Sequence, residues 1–86
     1  MSGYKVTFAR SARKELQTLS IDVAKRVLEK IEALEVNARP TGSKKLSGAK
    51  DLWRLRVGDY RVVYKIDAKD RIVDIAIIRH RKDVYR

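Results

Sequence analysis

The stretch from Leu52 to Arg79 constrains the fold most, because its apolar and basic residues alternate with a period of two. Side chains along a strand point to opposite faces in turn, so this alternation specifies strands with one buried side. Leu52 to Val57 reads as a strand, Gly58-Asp59 as a two-residue turn, and Tyr60 to Ile66 as the returning strand. That turn length fixes the register. Val57 lies opposite Tyr60, Arg56 opposite Arg61, Leu55 opposite Val62, Arg54 opposite Val63 and Trp53 opposite Tyr64. One face then carries Trp53, Leu55, Val57, Tyr60, Val62, Tyr64 and Ile66. The other carries Arg54, Arg56, Arg61, Val63 and Lys65.

A four-residue turn at Asp67 to Asp70 brings back a third strand, Arg71 to Arg79, with Ile66 opposite Arg71. Val73, Ile75 and Ile77 are expected on the apolar face. Ala76 is expected beside Arg61, and His80 on the arginine side if the strand runs that far. His80 to Arg86 reads as a polar tail. The pair Arg56 and Arg61 is informative, because like charges directly opposed across strands destabilise a sheet, by on the order of tenths of a kcal/mol. An anion between them reverses the sign, and guanidinium groups bind phosphate bidentately while staying charged. A phosphate site accounts for the pair better than two arginines reaching Asp59 or Asp74.

The N-terminal half supplies the cover for the apolar face. Tyr4 to Phe8 alternates as a short strand. Ser11 is expected to cap a helix over Ala12 to Leu19, and Ser20 a second one. In the second, Ala24, Val27, Leu28, Ile31 and Leu34 recur at helical spacing. Asn37 to Gly42 ends it, with Pro40 as breaker. Thr41 to Lys50 reads as a basic loop. The expected fold is α+β, in the order β-α-α-β-β-β, with two N-terminal helices packed on one face of a mainly antiparallel sheet.

Residues 1–86 are expected to form a single domain, because a chain this short supports one modest core. Lys and Arg number 21 against 11 Asp and Glu, a formal net charge of +10. An excess this large directs the chain toward polyanions, whether nucleic acid, ribosome or an acidic protein. There is no cysteine, which removes disulfides, thiolate zinc sites and thiol nucleophiles. No segment approaches the roughly 20 apolar residues of a membrane span. No membrane partner is expected, and the default location is the cytoplasm.

The available chemistry is narrow. The chain has one histidine, and its carboxylates are scattered without the spacing of a two-metal nuclease. No metal and no cofactor are expected. An enzyme acting on nucleic acid with Arg, Lys, His and Tyr alone most readily uses the RNA 2′-hydroxyl as nucleophile. It must then remove that proton, neutralise charge on the phosphoryl oxygens and protonate the leaving 5′-oxygen. Arginines serve the second need. His80 ordinarily titrates nearest neutrality, so it is either a proton-transfer group or a solvated tail residue. Tyr85 either stacks on a base or anchors the C-terminus.

The runs Lys45-Leu46-Ser47-Gly48, Leu52-Trp53-Arg54-Leu55-Arg56-Val57-Gly58-Asp59-Tyr60-Arg61-Val62-Val63-Tyr64 and His80-Arg81-Lys82-Asp83-Val84-Tyr85 together resemble the RelE branch of the RelE/ParE toxin superfamily. The two-helix N-terminal half fits as well, so the resemblance spans nearly the whole chain. It implies the toxin of a type II toxin–antitoxin pair, a metal-independent endoribonuclease that enters the ribosomal A site and cuts messenger RNA. It also implies a cognate antitoxin, RelB-like or another small acidic protein. The toxin–antitoxin complex would be oligomeric and bind DNA through the antitoxin. By resemblance, Arg61 matches a phosphate-stabilising arginine, and Arg79 or Arg81 the C-terminal catalytic arginine. Tyr85 matches the tyrosine that stacks on the nucleotide. Arg54 and Arg56 match two basic positions that are lysines in the best-known member.

The expected catalytic set is therefore Arg56, Arg61, His80, Arg81 and Tyr85. Arg54, Arg79, Lys44, Lys45 and Lys65 are expected to hold RNA phosphates. Arginine is a poor general base, because its guanidinium stays protonated at physiological pH, so proton transfer is assigned to His80. The alternative within the superfamily is a ParE-like inhibitor of DNA gyrase without nuclease activity. A catalytically silent RNA-binding module is the third reading.

Overall fold

The computed structural model describes residues 3–46 and 51–80. The elements follow in the order β1 (Lys5–Phe8), α1 (Arg10–Thr18), α2 (Ile21–Ala33), β2 (Lys44–Lys45), β3 (Leu52–Val57), β4 (Tyr60–Asp67) and β5 (Ile72–His80). The five strands form one sheet in the order β1-β5-β4-β3-β2. β1 runs parallel to β5, and the other pairs are antiparallel. This is the expected α+β fold, with one addition: a two-residue strand forms inside the segment read as a basic loop. It pairs Lys44 with Arg54 and Lys45 with Trp53.

The core lies between the helices and one face of the sheet. Val27 and Ile31 of α2, Leu34 at its end and Ala12 of α1 meet Leu55, Val57, Val62, Tyr64, Ile66, Val73, Ile75 and Ile78. Ser20 caps α2 as expected, its Oγ accepting from the Val23 N–H at 3.4 Å. Asp22 in the first turn and Lys30 in the last complement the helix dipole. The Tyr64 hydroxyl crosses the core and donates to the Ala38 carbonyl at 2.9 Å, tying the loop after α2 to the sheet. Burial raises the Tyr64 pKa above its ordinary value.

Ser11 does not cap α1. The helix starts at Arg10 with Ala9 as its N-cap, and the Ser11 hydroxyl instead donates to the Ala76 carbonyl at 3.2 Å. The β3–β4 register is the expected one, pair for pair from Trp53–Tyr64 to Val57–Tyr60. Gly58, at φ +60, takes the first turn position, the place glycine occupies in a type II′ hairpin turn.

The β4–β5 register differs from expectation in two ways. Ile66 pairs with Val73 instead of Arg71, a shift of two residues that keeps Val73 and Ile75 on the core face. A bulge then follows, because Tyr64 pairs with Ile75 while Val63 pairs with Ile77, leaving Ala76 as the extra residue. One extra residue exchanges the faces of everything after it. Ile78 is accordingly buried, and Ile77, expected in the core, is 37% exposed.

Candidate functional site

The bulge decides which residues share the outer face. On that face Arg56 of β3 stands opposite Arg61 of β4. Arg61 in turn stands opposite Arg79 of β5, where Ala76 was expected. Three guanidinium-bearing residues thus form one row across three adjacent strands. Directly opposed Cα atoms in such ladders lie about 4.5–5.5 Å apart, close enough for side chains of this length to converge on one anion. Arg61, the middle residue, is 6% exposed, whereas Arg56 and Arg79 are exposed at its sides.

Arg54 lies two residues along β3 from Arg56 and shares its face. Across the edge of the sheet Lys44 stands opposite Arg54, so it joins the basic face. Lys45 stands opposite Trp53 and is turned to the other face. Close by, the Arg39 guanidinium lies 5.2 Å from the centre of the Trp53 ring, a cation–π contact. Lys65 has the parity of the basic face but sits four residues from Arg61, about 13 Å along the strand. It faces Asp74, which also accepts from the Thr7 hydroxyl at 2.6 Å. Asp74 therefore offsets charge at the Lys65 end and not in the arginine row.

His80 is the main correction. The sequence reading placed it on the arginine side, but the bulge turns it to the helix-facing side, opposite Tyr60. Its ring meets Tyr60 edge to face, with centroids 5.1 Å apart and planes at 88°. Together they border a cavity of about 260 Å³ under α2, lined also by Val23, Arg26 and Asp59. Arg81 and Tyr85 lie outside the described residues. Among the described residues, no three His, Asp or Glu side chains gather into a set that could hold a metal ion.

The sequence reading had Arg79 among the phosphate ligands but not as the neighbour of Arg61. The missing signal was the bulge, and the run Ile75-Ala76-Ile77-Ile78 hides it by being apolar throughout. A continuous apolar run does not say which residue faces inward.

This fold is found in known proteins. Residues 6–85 match the family described as the ParE toxin of type II toxin–antitoxin systems, parDE. A relative from Methanocaldococcus jannaschii bearing the name toxin RelE1 is 31% identical over 86 residues, covering 96% of both chains. The RelE chain in the crystal structure of the archaeal RelE–RelB complex from Pyrococcus horikoshii superposes with a TM-score of 0.82 at 35% identity. That match covers 94% of this chain and 97% of the other. A chain of the RelBE2 toxin–antitoxin complex from Mycobacterium tuberculosis gives 0.79 at 27%, covering 91% and 98%. The chain belongs to the RelE/ParE superfamily of type II toxin–antitoxin toxins, as a RelE-type member.

Proposed function

We propose that this toxin blocks translation by cutting messenger RNA in the ribosomal A site, without a metal, using the RNA 2′-hydroxyl as nucleophile. The observation that carries the reading is the row Arg56, Arg61 and Arg79 across three strands. The 2′-oxygen attacks the adjacent phosphorus and the bond to the 5′-oxygen breaks. A 2′,3′-cyclic phosphate and a free 5′-hydroxyl remain. Negative charge grows on the phosphoryl oxygens as this happens. Guanidinium groups standing in one row stabilise it electrostatically.

Among the described residues, the arginine face holds no group that ordinarily titrates near neutrality. Its contribution is therefore electrostatic: the 2′-hydroxyl proton leaves to water, and the leaving 5′-oxygen, held by a guanidinium hydrogen bond, takes a proton from water to become the 5′-hydroxyl. Arg54 and Lys44 hold neighbouring phosphates. By the resemblance, Arg81 adds a further C-terminal guanidinium and Tyr85 stacks on the base, which fixes the nucleotide in line. His80 acts from the far face. Its edge contact with Tyr60 secures the last ladder pair of β5, and the residue before it is Arg79. It is a positioning residue for that guanidinium.

A cognate antitoxin, RelB-like or another small acidic protein, neutralises the toxin in an oligomeric complex that binds DNA through the antitoxin. The net charge of +10 supports an acidic partner, and the solved RelE–RelB complex supports a RelB-like one. Such a toxin works in the cytoplasm, where its ribosomes are. The family description by the name ParE favours a second reading, a gyrase inhibitor that cuts nothing. A translating extract separates the two. Message cut within the A-site codon supports the nuclease. Intact message with gyrase-dependent DNA breaks supports the inhibitor and overturns the first reading.

A further inference from the structure

At the outer edge of β3 the structure holds a second basic site. β2 pairs with Trp53 and Arg54, and Leu46 bonds to Leu52, so among the described residues the edge beyond Arg54 has no ladder partner. The direction of its backbone follows from one hydrogen bond. The Leu52 carbonyl accepts from the Leu46 N–H at 2.9 Å, so Leu52 points its polar groups toward the edge. Backbone direction alternates along a strand, which makes Arg54 and Arg56 do the same. The Arg56 N–H is therefore aimed out of the sheet. It opens into a groove of about 490 Å³ whose walls carry Lys30 of α2, Lys44, Arg54 and Arg56, with Thr41 beside them. Among the described residues, no carboxylate lines it. Gly42 and Gly58 border it, and a Cβ added at either would meet nothing within 4 Å, so the mouth is open.

We infer that this groove binds a phosphodiester flanking the scissile one, on the same RNA strand. Four cations from three parts of the chain, a backbone N–H at a sheet edge and a hydroxyl are the donor set of an anion site. Continuity selects the occupant. Arg54 and Arg56 belong both to the groove and to the arginine face, so a strand seated on Arg61 leads directly into it. Lys30 acquires a role that its place in the last turn of α2 does not suggest. The identity of the ligand rests on the nuclease reading; the anion site rests on the groove.

The test is equilibrium binding of a short single-stranded RNA, carrying one 2′-deoxy nucleotide at the scissile position, to the full chain at several salt concentrations. The double variant Lys30→Gln/Lys44→Gln is expected to bind about ten-fold more weakly. Its plot of log affinity against log salt is expected to be shallower by about 0.7, the share of one phosphate on a single strand. The double variant Lys30→Arg/Lys44→Arg should restore both. Both lysines are exposed, so a thermal melt should show each variant folded. Unchanged affinity and slope in the folded Gln variant would overturn the inference. So would intact RNA binding with loss of an acidic antitoxin, which would assign the groove to the antitoxin instead. The RNA is not cleavable, so failure of the nuclease reading would show separately, as wild-type toxin that leaves ribosome-bound message whole.

Discussion

Arg79 stands directly opposite Arg61 across β4 and β5, on the side away from the helices. With Arg56 on the other flank, three guanidinium-bearing residues stand in one row, and like charges directly opposed across strands repel. Replacing Arg79 by Gln is therefore expected to stabilise the free toxin by a few tenths of a kcal/mol in low salt. Urea unfolding measures this. Inorganic phosphate should reverse the order, because a ligand held by the native state stabilises it in proportion to its binding. Loss of stability in Arg79→Gln without phosphate, or an order that phosphate leaves unchanged, would contradict a shared anion site.

Arg61 is the buried centre of the row. Removal of one donor fixed at a developing oxyanion typically costs about 10²–10³ in rate. Arg61→Gln should lose activity on that scale in single-turnover cleavage of ribosome-bound message. Arg61→Lys should recover only part of it, because an ammonium lacks the planar fork of guanidinium. Full activity in Arg61→Gln would remove Arg61 from the site.

The edge contact of His80 with Tyr60 gives a different kind of prediction. His80→Phe keeps an aromatic ring in the same place and should keep most of the cleavage activity. His80→Ala should lose about ten-fold, a pair contribution near the 0.5–1.5 kcal/mol of such ring contacts. The pH profile of His80→Phe should match that of the wild type. A folded His80→Phe protein without activity would return His80 to proton transfer.

Tyr64 tests the loop anchor. Tyr64→Phe leaves the buried Ala38 carbonyl without its hydroxyl donor and should cost about 1–3 kcal/mol. The Tyr64 pKa is raised in the fold by burial, so the neutral form is the one the native state favours. The stability this provides is complete below the ordinary value of 10.0 and falls as pH rises past it. Thermal melts between pH 8 and pH 11, taken as an approximate range around that value, should show a shallower alkaline loss in Tyr64→Phe.

Much of this was legible in the sequence because local rules agreed. A two-residue turn and strict alternation fixed every pair from Trp53–Tyr64 to Val57–Tyr60, and with them Arg56 opposite Arg61. Ser20 read correctly as a cap because an amphipathic helix follows it. The third strand was harder. Its apolar run Ile75 to Ile78 satisfies either face, and the bulge at Ala76 is held partly by Ser11, 65 residues away. A contact that distant leaves no mark at the strand itself. The two consequences, Arg79 beside Arg61 and His80 on the far face, became visible only with the register. β2 was missed because two residues are too few to show a period.

The central claim is that the arginine row stabilises attack by the RNA 2′-hydroxyl. It is tested most directly by programming ribosomes with a message carrying a single 2′-deoxy nucleotide at the scissile position of the A-site codon. Product ends are then mapped beside those of the all-ribose message. Cleavage of the all-ribose message to a 2′,3′-cyclic phosphate, absent with the 2′-deoxy message and reduced at least about 100-fold by Arg61→Gln, is the predicted result. Equal cleavage of both messages, or of neither, would contradict it.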